Sequence, residues 1–162
     1  MNMFNIDEAF EMAEQIERDG AKFYRIAAEN VTEVEGKDLL LELARMEDEH
    51  EVVFANLRKK IVGQDWQDAA YDPEGEAAYY LQSFAKGRVF DSRKDISEKF
   101  SGIETLADLL GIAIQFERDT IAFFTGIQDV VPESLGKDKV TSIIREEMGH
   151  VTLLSRRLER LS

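Results

Sequence analysis

The sequence predicts an all-α protein, a bundle of four helices arranged as two antiparallel hairpins with one long connection between them. Three observations carry this. Apolar side chains recur at three- and four-residue spacing in four separate stretches. Two prolines and ten glycines in 162 residues leave those stretches uninterrupted. The second half of the chain also repeats polar residues of the first at a constant offset of 100 positions.

Residues 5–30 read as the first helix, with a stripe at Ile6, Ala9, Phe10, Ala13, Ile16, Gly20, Phe23 and Ala27. Asn5 followed by Glu8 has the spacing of an N-terminal capping box. After a short turn around Val31–Gly36, residues 37–62 form the second helix, striped at Leu40, Leu43, Met46, Val53, Phe54, Leu57 and Ile61. Residues 63–104 are polar and hold Pro73 and several glycines. Their one apolar pattern, Ala77, Tyr80, Leu81 and Phe84, predicts a short helix within a long crossover. Residues 105–128 form the third long helix, opened by the pair Thr105 and Asp108. Residues 134–161 form the fourth, striped at Val140, Ile143, Ile144, Val151, Leu154, Leu158 and Leu161. Two hairpins joined by one long crossover is the connectivity of ferritin-like bundles.

Composition removes several classes of function. With 20 basic and 33 acidic side chains the net charge is −13. Nucleic-acid binding needs clustered cations, and polybasic membrane attachment needs them too, so neither partner is expected. No stretch approaches the ~18 apolar residues of a spanning helix, and the acidic N-terminus does not read as a secretory signal. A single domain over residues 1–162, located in the cytoplasm, is the expectation. The chain has no cysteine, which excludes disulfides, thiolate metal sites, Cys-bound iron–sulfur centres and a cysteine nucleophile.

The repeat carries the chemistry. Glu17-Arg18-Asp19 recurs as Glu117-Arg118-Asp119, and Phe23 matches Phe123. Between 36–50 and 136–150 six of fifteen positions are identical: Gly, Lys, Asp, Arg, Glu and His. Polar residues repeat better than apolar ones, which a hairpin duplicated only for packing would not do. Helical spacing puts Glu47 and His50 on the stripe of Leu43, Phe54 and Leu57, and Glu147 and His150 on that of Ile143 and Leu154. Glu17 falls between Ala13 and Gly20, Glu117 between Ala113 and Thr120. Each helix thus turns a carboxylate inward, and two add an imidazole. Four buried carboxylates together cost many kcal/mol unless they are protonated or surround cations.

Four Glu and two His make up the ligand set of a di-iron or di-manganese carboxylate centre, with one Glu from each of two helices and Glu-x-x-His from each of the others. The competing reading is two helix-surface salt-bridge patterns and two core histidines. Glutamate fills 20 of 162 positions, about one in eight, so a Glu three residues before each of two histidines arises by chance about once in 65 trials. Both of the chain's histidines fall in the repeated motif.

The segment Glu17-Arg-Asp-Gly-Ala-Lys-Phe-Tyr24, with Glu47-Asp-Glu-His50, Glu117 and Glu147-Met-Gly-His150, resembles the rubrerythrin-like branch of the ferritin-like superfamily, over all four helices. The resemblance implies a non-haem di-iron site that reacts with hydrogen peroxide or dioxygen. Two departures stand out. Rubrerythrins usually carry a rubredoxin-like domain with Cys-bound iron, which a chain without cysteine lacks, so an external electron donor is expected. They also carry a further Glu one turn after the third-helix ligand, where this chain has Thr120. The resulting ligand set is symmetric and closer to that of bacterioferritin.

These readings give metal ligands Glu17, Glu47, His50, Glu117, Glu147 and His150, holding two iron ions, with manganese or zinc as alternatives on ligand type. Tyr24, two turns from Glu17, is a candidate to bond and orient a ligand carboxylate, or else a core aromatic. Asp19 and Asp119 are expected to be solvated or paired with arginine, and Glu146 to be exposed. Trp66, Tyr71, Tyr79 and Tyr80 suggest a homodimer interface or a cap on the bundle. The small residues Ala13, Gly20, Ala113 and Thr120 suit a substrate no larger than peroxide or dioxygen. The expected function is a peroxide- or dioxygen-reactive oxidoreductase; the alternatives are a ferroxidase or other iron-handling protein, and a non-enzymatic metal-binding helical module.

Overall fold

The computed structural model describes residues 5–62, 72, 74–87, 96–102 and 104–162. Helix α1 spans Ile6–Glu29, α2 Val34–Val62, α3 Glu76–Gly87, α4 Leu106–Val130 and α5 Lys137–Glu159, with short 3₁₀ turns at Ile96–Lys99 and Glu133–Leu135. No strand occurs among the described residues. No helix among them is long and apolar enough to cross a membrane.

The helix starts follow from local chemistry. Asn5 and Thr105 each close a reciprocal capping box, Asn5 with Glu8 and Thr105 with Asp108. Helix α2 begins three residues before its predicted start. The Glu33 carboxylate accepts from the Gly36 N–H at 2.8 Å, so a Glu does the capping usually done by a shorter side chain. Gly36 is therefore the first-turn packing residue of α2 and not part of the turn. A Cβ there would lie 2.8 Å from Leu106 Cδ2. Its repeat partner Gly136 does break the chain, at φ +111° between the 3₁₀ turn and α5. That turn is why α5 starts later than the predicted residue 134.

Helices α1 and α2 pack along their length, as do α4 and α5, and α1 faces α4 while α2 faces α5. The α1–α2 pair is antiparallel: Asp7 meets Arg58, Arg18 meets Glu51 and Arg25 meets Asp48. Helix α3 lies on α4, where Tyr80 donates to the Ala122 carbonyl at 2.8 Å and its ring fills the space beside Gly126. The crossover therefore carries the short helix expected of it. Tyr80 lays its ring beside Gly126 and stays 41% exposed, and Tyr79 is 73% exposed; Trp66 and Tyr71 lie outside the described residues.

The core is divided. One apolar cluster joins Phe10, Phe54, Leu57, Phe123, Phe124 and Ile127 near the crossover end of α2. A second joins Phe23, Tyr24, Leu40, Leu43, Leu109 and Leu110 toward the other end. Between them the bundle buries polar side chains.

The two kinds of glycine give a stability test. Gly36→Ala should destabilise the protein, because the added methyl meets Leu106 and the capping carboxylate. Gly111→Ala, on the open face of α4 with nothing within 4 Å, should stabilise it by up to about 1 kcal/mol. Urea denaturation of the two variants checks the opposite signs.

Candidate metal centre

The buried polar residues are Glu17, Glu47, His50, Glu117, Thr120, Glu147 and His150, each no more than 3% exposed. Helix α1 supplies Glu17, α2 supplies Glu47 and His50, α4 supplies Glu117 and Thr120, and α5 supplies Glu147 and His150. Each Glu-x-x-His pair sits one turn apart on one helix face, so both side chains reach the same layer. All six predicted ligands are brought together.

Their donor atoms form two overlapping groups. Glu17, Glu47, His50 and Glu147 offer donors within 4.8 Å of one another, and so do Glu47, Glu117, Glu147 and His150. Glu47 and Glu147 belong to both. The two histidines fall in different groups, and so do Glu17 and Glu117. The arrangement has the two-fold character of the sequence repeat. The imidazole planes lie 18° from parallel with centroids 5.7 Å apart.

Both histidines turn Nδ1 inward. His50 Nδ1 is 2.9 Å from Glu147 Oε1 and 3.6 Å from Glu17 Oε2. His150 Nδ1 is hydrogen-bonded to Glu117 Oε1 at 3.3 Å. It also lies 2.8 Å from Glu147 Oε2 and 3.2 Å from Glu47 Oε1, close in charge but off the direction of a hydrogen bond. Outward, His50 Nε2 meets Glu146 Oε2 at 2.7 Å. Tyr24 is fully buried, and its hydroxyl donates to Glu117 Oε1.

The electrostatics follow from crowding. Burial, then repulsion from Glu147, raises Glu17 and Glu47 well above the carboxylate range, and burial with the same neighbour pushes Glu117 up to about 8. Glu147 is the exception. Burial works against its charge, but the close contact of both histidines, with the hydrogen bond from His50, pulls it down to about 2. Burial also opposes the charged histidines. Their carboxylate partners outweigh it, pushing His50 up to about 9 and His150 up to about 12. Without cations, one carboxylate carries the negative charge between two imidazolium rings while its neighbours hold protons.

Even so, the layer is not satisfied. Both oxygens of Glu17 and of Glu47, one each of Glu117 and Glu147, the Thr120 hydroxyl and His150 Nε2 are buried without a hydrogen-bond partner. Fully buried polar groups are nearly always bonded. Carboxylate oxygens converging without partners, beside two imidazoles that turn Nδ1 inward, fit a pair of cations in the positions of the two groups.

Some expectations change. Asp19 and Asp119 accept from the amides of Gln15 at 2.8 Å and Gln115 at 2.9 Å, one turn before them. That pairing is itself repeated, and a Gln at i−4 could have shown it in the sequence. Arg18 goes to Gln15 and Glu51. Glu146 is 51% exposed, as expected, but it also holds His50. Gly20 does not leave space for a substrate: a Cβ there would lie 2.9 Å from both Glu47 Oε2 and Phe116 Cε1, so its smallness makes room for the carboxylate and that ring.

The sequence matches no protein-family model and no curated protein. In three dimensions the chain is similar to a crystal structure of a Thermotoga maritima protein provisionally described as ferritin-like and diiron-carboxylate. The TM-score is 0.72 at 22% identity, over 100% of this chain and 99% of that one. With two hairpins, a long crossover carrying α3, and a polar layer fed by every helix of the bundle, the chain has the ferritin-like fold.

Proposed function

We propose that this protein is a non-haem di-iron oxidoreductase that reacts with hydrogen peroxide or dioxygen, in the manner of a rubrerythrin-like peroxidase served by an external electron donor. The observation that carries this is the pair of four-ligand groups sharing Glu47 and Glu147. Glu17 and His50 complete one position and Glu117 and His150 the other. When bound, two ferrous ions supply the two electrons that, with two protons, convert hydrogen peroxide into two waters.

The chain's own residues prepare the site. Tyr24 fixes one oxygen of Glu117, and Glu146 fixes the ring of His50 from outside, leaving Nδ1 aimed inward. Protons held by Glu17, Glu47 and Glu117 and on the inner nitrogens of His50 and His150 would have to leave for cations to bind there. Phe10, Phe54 and Phe124 on one side, and Phe23, Leu43 and Leu110 on the other, exclude bulk water and bulky organic substrates. The −13 charge supports the second reading, a ferroxidase, because an acidic surface draws in Fe(II). Carboxylate and imidazole donors also accept manganese or zinc.

Metal analysis of protein purified without oxygen should find two ions per chain. Glu47→Ala and Glu147→Ala should each lose at least one, since each carboxylate serves both positions, whereas Glu17→Ala and Glu117→Ala should each weaken one position. Two ions per chain in all four variants would place the centre elsewhere.

Stopped-flow oxidation of the ferrous protein separates the readings. Peroxidase function predicts faster oxidation by hydrogen peroxide than by dioxygen. The reverse order supports the ferroxidase, and inertness to both supports a non-enzymatic module.

The metal-free protein should also report the buried carboxylates through pH. Glu17, Glu47 and Glu117 have raised folded pKa values, about 8 for Glu117, so the native state holds protons that the unfolded chain has lost. Their contribution is present below the ordinary carboxylate range and fades as pH rises through the folded values. His50, raised to about 9, adds a loss of the same sign above its ordinary 6.5. Glu147, lowered to about 2, acts only below 4.5. Thermal melts from pH 5 to 9 should therefore show a falling Tm, with each kcal/mol moving it by about 2–4 °C in a domain of this size. A flat or rising profile would contradict the cluster.

A further inference from the structure

What stands behind the ligands differs between the two halves of the centre. His50 Nε2 is 2.7 Å from Glu146 Oε2. His150 Nε2 is buried and has no partner. The repeat explains the difference, because at the 100-residue offset the counterpart of Glu146 is Met46, a half-buried thioether and a weak acceptor. On the carboxylate side the asymmetry is reversed. Tyr24 donates to Glu117 Oε1, whereas its counterpart Phe124 has no hydroxyl, and both Glu17 oxygens lack a hydrogen-bond partner.

The difference behind the histidines is the one that bears on affinity. An imidazole whose outer N–H is accepted by a carboxylate is a better donor at its inner nitrogen, and its ring is held in place. Glu117 keeps Oε2 without a partner, so the bond from Tyr24 still leaves it an oxygen for a cation. The position of Glu17 and His50 has this support behind its imidazole; that of Glu117 and His150 has none. We propose that the two cation positions are unequal, that the one bounded by Glu17 and His50 is the tighter and fills first, and that Glu146 is the positioning residue responsible. This rests on the di-metal reading and adds the order of filling to it.

The test is an anaerobic Co(II) titration of the metal-free protein, followed by visible ligand-field absorption, which reads affinity and coordination without turnover. Repulsion between two dications also separates the binding steps, so the decisive readout is the change on substitution. Glu146→Met gives the His50 side the residue already present on the other. The first step should weaken roughly 10–100-fold, the usual effect of removing a carboxylate behind a ligand histidine, and the second should change little. Glu146→Gln keeps an amide oxygen to accept from Nε2 and should recover much of the loss. Met46→Glu supplies His150 with an acceptor and should tighten the second step. Glu146 is half exposed, so its variants should melt like the parent, and they decide the question if Met46→Glu folds poorly. Two Co(II) per chain, with both constants unchanged in Glu146→Met, would overturn the inequality and leave the di-metal centre standing. A parent protein that binds no Co(II) would overturn both.

Discussion

The arrangement of the protein turns on burying four carboxylates in the middle of an apolar bundle. In a low-dielectric interior, ionised groups must be paired, protonated or bound to cations. The metal-free chain uses the first two. Glu147 stays charged because an imidazole reaches it from each side, while Glu17, Glu47 and Glu117 take up protons. Both oxygens of Glu17 and of Glu47 are still left without a hydrogen-bond partner. Packing conforms to this layer: the apolar core forms two clusters on either side of it, and Gly20 gives up its side chain so that Glu47 and Phe116 fit.

Duplication of one hairpin explains why the constraint is met so symmetrically, and also where symmetry stops. The four Glu and two His occupy equivalent places in the two halves, as do the Gln15–Asp19 and Gln115–Asp119 pairs. Beyond the ligands the halves have separated. Gly36 packs against Leu106 inside a helix, while Gly136 adopts a left-handed turn. Tyr24 faces a ligand and Phe124 packs in a core cluster. The inward carboxylates and imidazoles match between the halves, while the residues behind them differ and make one half unlike the other.

This division also sets what could be read from the sequence. A helix fixes which residues share a face, so the inward direction of Glu17, Glu47, His50, Glu117, Glu147 and His150 was legible once the stripes were drawn. The capping boxes were legible because they are local. Contacts between helices were harder. The Glu146–His50 bond joins α5 to α2 over 96 residues, and no periodicity within one helix specifies it. Gly36 was misread because a glycine near a turn signals a break, whereas here the tertiary contact with Leu106 decides its role. Tyr24 was legible as one of two things, and only the position of Glu117 on α4 chose between them.

The divided core has a consequence for the centre itself. A zinc finger depends on its ion because little else holds it together. Here Phe10, Phe54, Phe123 and Phe124 on one side, and Phe23, Leu40, Leu43 and Leu109 on the other, are fully buried without help from the polar layer. Apolar burial on that scale stabilises a bundle in its own right. The fold therefore need not be assembled around the cations, and the cluster can exist with protons in their place. The two halves share their inward carboxylates and imidazoles, so any difference between them has to come from the residues behind that layer, Glu146, Met46 and Tyr24.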